Sequence, residues 1–274
     1  MDSKPGLSAL KIVSSILVSL AAPVFGQAPP AQTGDLPSQA KPVEGIVMPI
    51  PKEIFNSLDK FTNINWRAVQ RPEIVRWKSP GGQVQVALLL GITVAEGFIA
   101  VEAEDSAEVK NVGNRVLTLS RALGVQKIAL RRSRSIMDYA EQNKWKQSRE
   151  EWDGVLSDLE TGMVALKSEQ LAQLVSISGW LRGTEALCAI VLQDYSPERA
   201  QLIQQPVLLD RLAKQLRDMS SKMRSDPGIA KMEDGIQRIR VLLQNENSPP
   251  TEKTVKDVGD ICEQLVGIST ARPK

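Results

Sequence analysis

From residue 51 onward the apolar positions recur with a helical period. In residues 51–62, Ile54, Phe55, Leu58 and Phe61 fall at i, i+1, i+4 and i+7, one face of a short first helix. Residues 63–78 are less regular and are interrupted by Pro72, and the Ser-Pro-Gly-Gly run at 79–82 marks a loop. Residues 84–103 are apolar nearly all round, the pattern of a helix buried on every side. Amphipathic stretches follow at 106–123, stopped by Gly124, and at 126–144, 148–166 and 168–194. Ser196-Pro197-Glu198 opens the next helix with a capping hydroxyl and a proline at the first helical position; Pro206 predicts a break or kink before 208–223. Asp226-Pro227 opens 228–243 in the same way, and 251–268 is the last helix. No alternating polar and apolar stretch is long enough to argue for a sheet. The expected fold is all-α, a single bundle of about eight antiparallel helices over residues 51–270.

A weak internal similarity runs through this pattern. At an offset of 90 residues, Ser106-Ala107-Glu108 lies on Ser196-Pro197-Glu198, and Leu117, Leu119 and Arg121 lie on Val207, Leu209 and Arg211. Ala87, Gly91 and Ala95 form a small-residue stripe before the first copy, as Gly179 and Gly183 do before the second, and such stripes let helices approach closely. The chain therefore admits a reading as two related four-helix halves.

The N-terminus breaks the pattern. Lys4 and Lys11 precede an apolar run at 12–25, and the small residues that follow suit a processing site after Gly26. The run is shorter than the roughly 20 residues a spanning helix prefers. Residues 1–26 read as a cleaved signal peptide, which places the mature chain in the periplasm or outside the cell. Residues 27–50 hold Pro29, Pro30, Pro37, Pro42 and Pro49 and read as a Pro-rich arm, whose apolar piece at 45–50 is suited to docking as one extended segment.

Composition narrows the chemistry more than it names it. Lys and Arg number 34 against 32 Asp and Glu, so no global field recruits nucleic acid. The count of histidines is 0, which removes the usual general base near neutral pH and the commonest nitrogen ligand for metals. Ser-His-Asp and Cys-His catalysis are excluded, two distant cysteines cannot build a structural zinc site, and no glycine-rich phosphate loop is present. No metal or cofactor is expected.

Glu96 is the most unusual carboxylate. Leu89, Ile92, Thr93, Ile99, Ala100 and Ala103 surround it at helical spacing, none of them charged. If that helix is central, Glu96 is buried and needs a partner or a proton; Arg182 and Glu185 on the corresponding helix of the second half are the candidates. Either the three line a polar, ligand-binding pocket, or Glu96 pairs structurally with an arginine. Cys188 and Cys262, both in apolar helical settings, either form a disulfide or pack as buried thiols.

Two basic clusters surround tryptophans. Lys127, Arg131, Arg132 and Arg134 are followed by Lys144, Lys146 and Arg149 around Trp145, and Arg67, Arg71, Arg76 and Lys78 flank Trp66 and Trp77. Such mixtures suit peripheral contact with an anionic surface, through Arg131, Arg132 and Arg134 above all, although solvated helix faces carry the same residues. The leading functional expectation is a non-enzymatic envelope or secreted interaction protein with a protein partner. The alternatives are a small-ligand carrier with an interhelical pocket, and a hydrolase or lyase using carboxylates alone from the pool Glu96, Glu102, Glu104, Asp105 and Glu185.

Overall fold

The computed structural model describes residues 42–43, 46–47, 64–75, 81–245 and 247–270. These belong to one unit, Leu36–Lys274. The expected signal peptide, most of the arm and the helix expected at 51–62 lie outside the described residues. Within the arm, Pro42–Val43 (β1) and Ile46–Val47 (β2) pair antiparallel, Pro42 opposite Val47 and Val43 opposite Ile46. This is one minimal hydrogen-bonded pair within the Pro-rich arm.

A 3-10 turn, Trp66–Val69, and a single helical turn, Pro72–Val75 (α1), lead into the bundle. The chain then runs through Gln83–Glu102 (α2), Ser106–Ala122 (α3), Gln126–Glu141 (α4), Trp145–Trp152 (α5), Val155–Ala165 (α6) and Glu169–Gln193 (α7). It continues through Pro197–Gln201 (α8), Pro206–Arg217 (α9), Ser221–Arg224 (α10), Pro227–Leu242 (α11) and Glu252–Thr270 (α12). Eight of these, α2, α3, α4, α6, α7, α9, α11 and α12, have 11 or more residues, so the described part of the chain is the expected all-α bundle.

The caps read from sequence are in place. Ser196 accepts from the Arg199 amide at 3.2 Å and Asp226 from the Gly228 amide at 2.8 Å. Pro206 opens α9 at its first turn rather than kinking a longer helix, and α9 stops at Arg217 because Ser220 caps a new turn. Four helix ends share one device. Glu104, Gly124, Asn143 and Lys167 adopt left-handed φ of 50°, 80°, 55° and 55° just past α2, α3, α4 and α6. In each, the next amide bonds back to a carbonyl of the last turn, as Asp105 does to Ala100 at 3.0 Å and Ser168 to Met163 at 2.9 Å. Only one of the four is glycine.

The stretch expected as one helix at 148–166 is two, α5 and α6, bent at Asp153 and Gly154. Both residues keep right-handed helical dihedrals, so the chain bends without reversing. A Cβ on Gly154 would lie 2.3 Å from the Arg132 guanidinium carbon, so glycine here makes room for that side chain. With α5 and α6 counting as one descending element, α2 and α7 run parallel, as the expected up-and-down succession requires. Their contacts agree: Gly91 meets Val175 and Gly179, and five residues further on Glu96 meets Arg182.

This parallel pair is the core. A Cβ on Gly91 would fall 2.0 Å from the Val175 carbonyl oxygen, so the small-residue stripe does set the approach at Gly91 and Gly179; Gly183, by contrast, faces open space. The Trp152 indole fills the site of a Gly97 Cβ and donates to the Val94 carbonyl at 2.9 Å. Both α2 and α7 are long and apolar enough to cross a membrane, but 83% of each apolar window is buried inside the protein. α3, α5 and α12 pack around α2, with α6, α8 and α12 around α7; α9 and α11 form an outer layer.

Candidate functional site

A carboxylate in an all-apolar helix needs a cation on whatever helix faces it, and α7 supplies one. Arg182 donates from Nε to Glu96 Oε1 and from Nη2 to the Val69 carbonyl at the end of the 3-10 turn. The second Glu96 oxygen accepts from the Arg71 amide at 3.1 Å. Arg182 Nη1 lies 3.7 Å from Glu185 Oε2, one turn along α7. Arg71 then reaches back with Nη2, 2.5 Å from Glu185 and 2.8 Å from Glu263 on α12. Side-chain exposure along the chain Glu96, Arg182, Glu185, Arg71, Glu263 rises from 1% through 1%, 7% and 28% to 59%, so the network leads from core to surface.

The structure thus brings Glu96, Arg182 and Glu185 together, as the sequence suggested, and adds Arg71, Glu263 and Val69. The arrangement ties α2, α7, α12 and the segment before α1 at one point. Charge-assisted hydrogen bonds occupy both Glu96 oxygens, as a buried ion needs. Burial pushes the Glu185 carboxyl above its usual range, while Arg182 and Arg71 oppose the shift. The sequence reading placed Arg71 only in a basic cluster and did not single out Glu263, because Arg71 precedes α1 and Glu263 is exposed on α12; their pairing is specified by where α12 docks.

A second buried carboxylate was missed. Glu160, on α6, is 1% exposed and accepts from the Ser176 hydroxyl of α7; its other oxygen has no hydrogen-bond partner. Burial drives its pKa up to about 8, with the Ser176 bond acting against the shift. A signal was available, since Leu156, Met163 and Val164 flank it at helical spacing just as apolar residues flank Glu96.

The rest of the carboxylate pool serves the fold. Glu102 pairs with Arg149, Asp105 caps α3 through the Glu108 amide at 3.1 Å and pairs with Arg67 at 3.2 Å, and Glu104 sits in the left-handed turn. Among the described residues no group of three or more acidic or cysteine side chains is arranged to hold a metal. Cys188 and Cys262 are both buried and free, on packed faces of α7 and α12, where Cys188 lies against Gly259. Burial raises both thiols, and each lies close enough to Glu185 to be raised further by it. In the structure both pack as buried thiols.

Of the basic clusters, Arg67 and Arg71 are engaged as above, and Arg76, Trp77 and Lys78 lie outside the described residues. Arg132 turns sideways between Asp158 at 2.5 Å and Glu151 at 3.1 Å, away from Arg131 and Arg134, which are exposed. Among the described residues, two open grooves are defined. One, between α11 and α12, is lined by Arg238, Val241, Asp260 and Ile261; the other, at the start of α2 and α7, is lined by Gly82, Lys167, Gln170 and Lys222. Comparison of the chain with protein-family models, with curated proteins and with solved structures gives no match.

Proposed function

We propose that this chain is an exported, non-enzymatic helical protein that works by presenting its surface to a partner. The observation that carries the reading is the commitment of the candidate carboxylates. Glu96, Glu102, Asp105 and Glu185, four of the five from which an acid–base pair would be drawn, each face an arginine within the fold, Glu104 sits in the left-handed turn after α2, and the buried Glu160 faces the Ser176 hydroxyl. General acid–base work needs two carboxylates converging on space a substrate can enter, and these converge on cations. Export is supported by Lys4, Lys11 and the apolar run that precedes Gly26.

The test is the intact mass and crosslinked size of the protein taken from its native source. A mature form beginning near Gln27 and held in a discrete complex is the expected result. A full-length mass would overturn the export assignment, and a solitary monomer after crosslinking would overturn the partner assignment.

A further inference from the structure

Eight of the described arginines face a carboxylate, and a stripe on α4 is among the cations that do not. On α4, Lys127, Arg131 and Arg134 fall at i, i+4 and i+7, opposite the buried positions Ala129, Ser133 and Ile136, and all three are exposed. None of them makes an ion pair among the described residues, nor does Lys167 at the end of α6. Asp138, one turn beyond Arg134, and Glu141, one turn further and paired with Lys110 at 2.8 Å, are the acids on the same stripe.

Two exposed aliphatic side chains sit beside these cations. Ile128, 39% exposed, lies across α6 at Gly162, its Cδ1 2.2 Å from where a glycine Cβ would be. Leu166, 53% exposed and one turn on from Gly162, reaches Gly124 in the turn between α3 and α4. Cations and aliphatics therefore share one corner of the bundle.

We infer that this corner docks on an anionic lipid surface, with Lys127, Arg131, Arg134 and Lys167 against the phosphates and Ile128 and Leu166 dipping into the headgroup region. The inference rests on the reading of the chain as a surface-presenting protein and names the chemistry of one partner. Charge complementarity supplies the attraction, and the aliphatic pair selects the lipid. A sulfated glycan offers nothing for Ile128 and Leu166 to enter, and single-stranded nucleic acid is held by aromatic rather than aliphatic side chains.

The test is co-sedimentation of the mature chain, beginning near Gln27, with phosphatidylcholine vesicles, with and without about one-third phosphatidylglycerol, at low and high salt. Binding is expected only to the anionic vesicles and is expected to fall with salt. Near an anionic surface each cation contributes about a fivefold factor in partitioning, so Lys127→Gln/Arg131→Gln/Arg134→Gln is expected to weaken binding about 100-fold. Ile128→Ser/Leu166→Ser is also expected to weaken it, whereas Lys253→Gln/Lys256→Gln on α12 is not. Unchanged thermal melts for these surface variants confirm that folding is not being read. Equal binding to neutral vesicles, or undiminished binding by the triple variant, would overturn the inference. So would salt-sensitive heparin binding without vesicle binding, which identifies a polyanion site instead. A discrete crosslinked protein complex that persists when vesicle binding fails separates the two claims, because it preserves the proposed function and removes only the lipid.

Discussion

Replacing Arg182 by methionine tests the central feature of the interior. The substitution keeps volume and rotamer character while deleting the guanidinium that bonds Glu96 and the Val69 carbonyl. Glu96, 1% exposed, is left with the Arg71 amide as its one donor. Breaking a buried ion pair from one side costs about 3–5 kcal/mol, against a total stability on the order of 5–15 kcal/mol. With a urea m-value of about 2 kcal/mol/M, the unfolding midpoint should fall by about 2 M. The second arm is Glu96→Leu/Arg182→Met, which removes both charges. It leaves the Val69 carbonyl without its donor and the part-buried Arg71 amide without its acceptor, but no unpaired charge at Glu96, so it should lie within about 3 kcal/mol of wild type and above the single variant. Urea unfolding followed by far-UV circular dichroism reads both. A single variant within about 0.5 M of the wild-type midpoint, or a double variant less stable than the single, would refute the burial argument.

Glu160, whose pKa rises from 4.5 unfolded to about 8 folded, binds its proton more tightly in the native state. Its contribution to stability is therefore complete below the lower value and is lost as pH rises toward 8, at about 1.4 kcal/mol per pH unit. Glu160→Gln should flatten that slope in urea titrations between the two pH values, and an unchanged slope counts against the assignment. Gly97→Ala drives a methyl into the Trp152 ring, so a loss of about 1–3 kcal/mol is expected in thermal unfolding, with a reduced near-UV tryptophan signal; a neutral result would mean the ring is placed otherwise. Lys167→Gly relieves a side chain at φ 55° and should raise stability by up to about 1 kcal/mol, whereas Lys167→Ala should not. A thiol reagent should find no reactive cysteine in the native protein and both Cys188 and Cys262 after denaturation, while a mass 2 Da short of the reduced chain would show a disulfide instead.

Much of this architecture was legible because its signals are local. Period, caps and turns placed α2, α3, α4, α7 and α11 within a few residues. The partner of Glu96 could be anticipated because a charge in an apolar helix leaves few physical options. What escaped depends on tertiary placement. The bend at Asp153-Gly154, a pair that elsewhere marks a loop, keeps both residues helical and redirects the chain only because Arg132 needs the space beside Gly154. Gly183 shares the spacing of Gly179 but lies on a face that no helix approaches. Arg132 looked like one more member of a basic run, and only the approach of α6 turns it toward Asp158.

The core ion pair joins residues 86 positions apart, and the Arg182 bond to Val69 spans 113. A chain that has emerged only as far as α6 holds Glu96 on its most apolar helix with no countercharge yet made. Closing α3, α4 and α5 over α2 at that stage would strand a naked carboxylate, so early collapse around this helix is disfavoured until α7 arrives. Consolidation of the interior around α2 is therefore expected to wait for Arg182, 86 residues further along the chain.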